Sequence, residues 1–219
     1  MDAREQLLQQ TYAARDAALR QWGEVDPLVH APIINPAFRG GARWPSLRQA
    51  FRVIRDGANT IVCSDGLADP FDDEEEPNIG FGVEILCETS DPEDGSVVND
   101  WPSWIAYDVA QQAAHHGGFR ELIDELGVLS MEINNRFGPD EMATPENRIG
   151  LLLGLSAPNR NTEWAFPAGT VKVVTVKVLH PSELAFVVNE GQAGRERLRD
   201  LFAETGTHHV SSATRAAVV

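Results

Sequence analysis

Residues 170–179 read TVKVVTVKVL, and this run constrains the chain more than any other. Seven of its ten residues are valine or threonine, with no proline or glycine. Branched side chains crowd the turns of a helix and sit well on a pleated surface. The run is therefore a strand, and a strand needs paired neighbours and an apolar cover to be stable. Lys172 and Lys177 fall at opposite parity. That break predicts either a bulge or a strand covered on both faces in its middle.

Three other segments supply neighbours. Residues 59–64 (NTIVCS) are short and β-rich. Residues 79–88 (IGFGVEILCE) alternate, with Phe81, Val83, Ile85 and Cys87 on the more buried face and Gly80, Gly82, Glu84 and Leu86 opposite. Four apolar side chains at period two predict a central strand. Glu84, set among them, is predicted to be hydrogen-bonded or ion-paired, because an unpaired buried carboxylate is costly. Residues 148–155 (RIGLLLGL) are a weaker candidate whose glycines disfavour helix.

Helical periodicity accounts for much of the rest. Residues 2–22 place Leu8, Tyr12, Leu19 and Trp22 on one stripe. Residues 46–55 share a face through Leu47, Ala50, Phe51 and Ile54, with Ser46 as N-cap. A helix opens at Asp100 with Pro102 in its first turn and stops at Gly117 and Gly118. Its apolar face is Trp101, Ile105, Val109 and Ala113. Residues 119–126 form a shorter helix. His180-Pro181-Ser182-Glu183 is a helix start that runs to Gly191, and a last helix covers residues 195–202. Residues 26–45, rich in proline and glycine, are turns with a brief edge strand in VHAPII. Strands and helices alternate irregularly, so the class is α+β: a mixed, mainly antiparallel sheet covered by helices. Residues 1–26 are read as a helical arm packed on a domain of residues 27–206, and residues 207–219 as a tail that frays unless it docks.

The formal net charge of −15 repels phosphate backbones and disfavours nucleic acid, while a basic protein partner is allowed. No stretch has the roughly 18 to 20 apolar residues of a membrane span. The start MDAREQLLQQ lacks the basic and apolar pattern of a secretory signal. Two cysteines, Cys63 and Cys87, sit in apolar runs, so a disulfide framework is not expected and a cytoplasmic setting is.

Several segments carry a family resemblance. Residues 63–71 (CSDGLADPF) resemble the strand-to-turn segment of the Suppressor of fused domain family, T/S-x-G-L-S-D, and Gly80-Phe81-Gly82-Val83-Glu84-Ile85 resembles its G-[FW]-G-[VF]-E-[LI] signature. Residues 104–116 stand where the family carries a helix. Residues 166–178, followed by Pro181-Ser182-Glu183-Leu184, resemble its late strand and helix start. These elements keep the family's order over about two thirds of the chain. The resemblance is to the bacterial single-domain branch. It implies a protein-binding module, without the second domain with which animal members clamp a transcription-factor peptide. It also raises the alternative of an immunity protein against a polymorphic toxin.

Chemical motifs are sparse. No G-x-S-x-G, H-E-x-x-H, P-loop or Rossmann fingerprint is present. The acidic run from Asp69 to Glu76 lacks the spaced pattern of a calcium loop. His115–His116 and His208–His209 are adjacent pairs, which diverge too far on a helix to grip one metal; the first pair suits a helix C-terminus. No cofactor or metal is expected. Asp65 and Glu84 flank one loop, which leaves a small-ligand binder or hydrolase as a further alternative. Asp108, one turn after Trp104, lies near its helix's apolar stripe, where it either bonds an indole N–H or faces solvent. Trp44 and Trp101 are read as core before surface anchors. The residues expected to meet a partner are Asp65, Asp69, Phe71, Glu84, Trp104 and Asp108, and the chain is read as a non-enzyme.

Overall fold

The computed structural model describes residues 2–91, 97 and 100–219. Its elements are α1 (Ala3–Leu19), β1 (Glu24–Val25), β2 (Ala50–Asp56), β3 (Asn59–Asp65), β4 (Val83–Thr89), α2 (Trp101–His116), α3 (Phe119–Leu126), β5 (Leu129–Asn134), β6 (Arg148–Leu153), β7 (Glu163–Phe166), β8 (Gly169–Leu179) and α4 (Pro181–Glu204). The strands form one sheet in the order β1-β2-β3-β4-β8-β6-β5, with β7 also paired to β8. β4 and β8 are parallel and the other pairs are antiparallel. The class is α+β, as expected. Among the described residues no helix is long and apolar enough to cross a membrane.

β8 explains the split parity of its lysines. Its pairing is continuous, with β4 along one edge and β7 then β6 along the other. Both faces are covered. Val174, Val176 and Val178 pack under α2 in a core with Val62, Val83, Ile85, Ile105 and Val109. On the opposite face Val171 and Val173 join Leu19, Trp22, Ile61, Leu86 and Trp164, and Leu179 joins Leu152, Leu184, Leu198 and Phe202 from α4. Lys177, on this second face, is wholly buried. Its ammonium bonds the Val210 carbonyl and lies 4.5 Å from the Phe202 ring centre. Burial pushes its pKa down to about 7.

β4 is central and buried along its whole length, with Val83, Ile85 and Cys87 under α2. The strand begins later than the alternation predicted. Gly80 and Gly82 have φ of +55° and +66°, and Phe81 is half-exposed. A Cβ at Gly80 would stand 2.3 Å from the Asp69 carbonyl oxygen. The Gly-Phe-Gly unit is therefore a tight turn against the loop that follows β3.

Residues 46–55 are not a helix. Leu47 has φ +58°, and β2 begins at Ala50 and makes a hairpin with β3. A short apolar run fits both periods, and here burial of both strand faces satisfies the same residues. The VHAPII segment contributes one bridge, His30 to Phe51. β5 and β7 were not foreseen. α2 and α3 match their expected bounds. α4 opens with the expected capping box and breaks at Gly191, φ +61°. Residues after Gly206 dock: Ser211 bridges Thr89, and Arg215 forks onto Glu183.

Candidate functional site

Three of the expected site residues meet inside the protein. α1 is capped by Asp2, which accepts from the Glu5 amide, and turns Thr11, Arg15, Ala18 and Leu19 toward the sheet. Arg15 reaches Asp65 and Asp69, each at 2.6 Å, and Glu84 at 3.1 Å. Burial alone would lower its pKa, yet the three surrounding carboxylates raise it above the ordinary arginine value. Glu84 also accepts from the amides of Gly66 and Ala68, both at 3.1 Å, and from the Ser64 hydroxyl. Burial lifts its pKa to about 7 against the pull of Arg15. Arg48 bonds the second oxygen of Asp65, and Ser46 the second oxygen of Asp69, each at 2.5 Å.

Arg15, Asp65, Asp69 and Glu84 are at most 1% exposed. Glu84 is paired, as the strand pattern predicted. The group ties α1 and the β3–β4 loop to the sheet and has no solvent-facing oxygen to offer a substrate. Neither Asp65 nor Glu84 lines any of the clefts described below. Buried in this way, Asp65 and Glu84 are not presented to a substrate, and none of the three carboxylates faces outward toward a partner. Cys63, beside them, has its thiol pKa pushed well up by burial. Sequence reasoning missed Arg15, although its spacing to Thr11 and Leu19 was a readable signal.

The other expected residues, Phe71, Trp104 and Asp108, are half-buried. Phe71 meets Phe81 edge-on at 5.2 Å, and its carbonyl takes the Arg4 guanidinium at 3.0 Å. A cleft of about 550 Å³ separates the first turns of α1 from residues 70–78, whose acidic side chains are exposed.

Trp104 and Asp108 come together on the flank of α2. Trp104 and Tyr107 form one wall of an apolar cleft of about 380 Å³. Phe51, Val53 and Val62 also line it, and His30, Pro32 and Ile33 bring residues from the proline-rich stretch. Past the His30 bridge this stretch leaves the sheet, because Pro32 and Pro36 cannot donate to a ladder. It leaves Ile33 fully exposed and Phe38 at 76%, and Leu28, just before the bridge, is 64% exposed. Trp104 also stacks on exposed Phe137, ring centres 4.4 Å apart. Asp108 is half-buried and bonds no indole. Burial raises its pKa, with Arg136 opposing. Trp44 is buried, as expected, and Trp101 half-buried.

No family model matches this sequence, and no curated protein does. Solved structures do. One chain in the crystal structure of the Sufu-Fu complex superposes with a TM-score of 0.61 at 14% identity, covering 97% of this chain and 92% of that one. The Drosophila Suppressor of Fused crystal structure matches with a TM-score of 0.45 at 15% identity, over 73% of this chain and 39% of that one. The chain has the Suppressor of fused fold, as residues 63–71 and 80–85 implied.

Proposed function

We propose that this chain is a non-catalytic protein-binding module that receives a partner segment on the flank of α2. The observation that carries this reading is the apolar cleft walled by Trp104 and Tyr107 and rimmed by exposed Ile33. Exposed apolar surface of this kind marks interaction sites, and a rigid aromatic beside a pocket is the usual anchor point. The buried carboxylates hold the scaffold and take no part in binding. Further support comes from the fold, shared with a chain found in a protein complex.

A net charge of −15 favours a basic protein and disfavours nucleic acid and anionic membrane. Two unpaired buried cysteines fit a cytoplasmic setting. A pull-down from native extract at low and moderate salt tests the reading. Wild type should retain a stoichiometric protein that Ile33→Asp and Trp104→Ala lose. Recovery of no such protein at either salt counts against it.

A further inference from the structure

The cleft between the first turns of α1 and residues 70–78 stands apart from the α2 flank. α1 and α2 cover opposite faces of the sheet, and the two clefts share no lining residue. Its volume of about 550 Å³ lies within the range of roughly 300–1,000 Å³ that ligand pockets occupy. Ala3 and Leu7 from α1 and Pro70, Phe71 and Pro77 from the loop give it an apolar lining. Its walls are fixed before anything enters. Arg4 crosses from α1 to the carbonyls of Phe71 and Glu74, at 3.0 and 3.3 Å. Asn78 folds the loop back on itself, accepting from the Phe71 and Gly80 amides and donating to the Glu76 carbonyl. A groove held open in this way spares an incoming chain the cost of ordering it.

The rim is charged in one sense. Asp2, Glu74, Glu75 and Glu76 line the cleft against a single base, Arg4, whose guanidinium is occupied by the two carbonyls. Arg43, which also meets this loop, is paired with Asp72 at 2.5 Å. The carboxylates of Glu74, Glu75 and Glu76 are exposed and take no hydrogen bond or ion pair among the described residues. The amides that open α1 would favour an anion, but Asp2 already caps them at the Glu5 amide, 2.7 Å away. Three consecutive like charges repel one another, and a bound cation relieves that repulsion. The stem of a lysine can lie along the apolar lining while its ammonium reaches the glutamates.

We infer that this cleft is a second docking surface, for a protein segment that seats a leucine or phenylalanine between Leu7 and Phe71 and sets lysines or arginines against Glu74, Glu75 and Glu76. It goes beyond the α2-flank reading and does not depend on it.

The test uses the full chain and twelve-residue synthetic peptides of three kinds. The first carries one leucine with lysines two and three positions away, the second has glutamine in place of lysine, and the third has serine in place of leucine. Binding is read from the backbone amide resonances of Leu7 and Phe71. The first kind should bind about tenfold more tightly than either of the others. Glu74→Gln, Glu75→Gln and Glu76→Gln together should erase its advantage over the glutamine peptide and keep the wild-type melting temperature, since no bond is lost. Leu7→Ser should erase its advantage over the serine peptide. Raised salt should weaken the first kind more than the second. Trp104→Ala, which opens the wall of the other cleft, should leave these affinities unchanged, so a failure of that reading and of this one are told apart. Equal binding of the first and third kinds would reduce the cleft to unspecific charge attraction. Shifts confined to Trp104 and Phe137 would place the peptide on the α2 flank. Either result overturns the proposal, as does the absence of any shift at millimolar peptide.

Discussion

Arg15 in the first helix and Glu84 in the central strand stand 3.1 Å apart with no path to solvent for either. Asp65 and Asp69 complete the ring around the same guanidinium. Arg15 is the one base that touches all three acids, while Arg48 reaches Asp65, so the ring tolerates little change at Arg15.

Arg15→Leu should lower stability by about 3–5 kcal/mol, because it leaves the buried Asp69 and Glu84 without a counter-charge, Asp65 alone keeping Arg48. Arg15→Lys should recover only part of this, since the lysine donors all sit on one nitrogen, whereas Arg15 reaches Asp65 and Asp69 from two. Urea unfolding midpoints of the two variants check the order.

Glu84 gives a pH signature. Its folded pKa, about 7, is above the ordinary 4.5. Between these values the folded state holds a proton that the unfolded state has released. The contribution of Glu84 to stability is therefore full below pH 4.5 and declines as pH rises toward 7. Glu84→Gln should flatten that decline. Unfolding midpoints at pH 4.5, 6 and 7.5 for both proteins decide it, and parallel curves would refute the assignment.

Lys177 should act in the opposite direction. Its folded pKa of about 7 lies below 10.5, so from pH 7 to 10.5 the unfolded state binds the extra proton and stability rises with pH. Lys177→Met keeps the packing on Phe202 and removes the buried charge. It should be neutral or more stable by about 1 kcal/mol at pH 6.5, and should lose the rise at pH 9.5. Thermal melts at the two pH values are sufficient.

Arg215 anchors residues 207–219. It forks onto Glu183, which also accepts from the His180 and Val218 amides. Arg215→Ala should cost about 3 kcal/mol and speed amide exchange in residues 208–218 before the sheet is affected. Unchanged exchange there would show that Ser211 and Val210 hold the segment without it.

The sequence was most legible where one period excluded the other. The valine run of β8 admits no helix, and the proline and glycine limits of α2 and α3 leave little freedom. Residues 46–55 misled because Leu47, Ala50, Phe51 and Ile54 satisfy a helical stripe, while a strand buried on both faces needs no alternation. Gly80-Phe81-Gly82 misled for a related reason: its alternation is real, but the positive φ at both glycines turns it out of the sheet. Asp65 and Glu84 were legible as a pair flanking one loop and Asp69 as the start of an acidic run, yet the role of all three depended on an arginine fifty residues before the first of them. Ile33 and Phe137 gave no signal, because an exposed apolar residue in a loop looks like any other until its neighbours are placed.

The parallel pairing of β4 and β8 has a kinetic consequence. Val83 pairs with Lys172 and Cys87 with Val176, positions separated by 89 residues of chain. Closing so long a loop carries an entropy cost that local hairpins do not. The β2–β3–β4 meander and the β7–β8 hairpin can each assemble from near neighbours. Their seam, which carries the middle of the core, must wait for both. This topology predicts that the two halves of the sheet form separately and that the β4–β8 seam closes late, with the edges of both strands open until they meet.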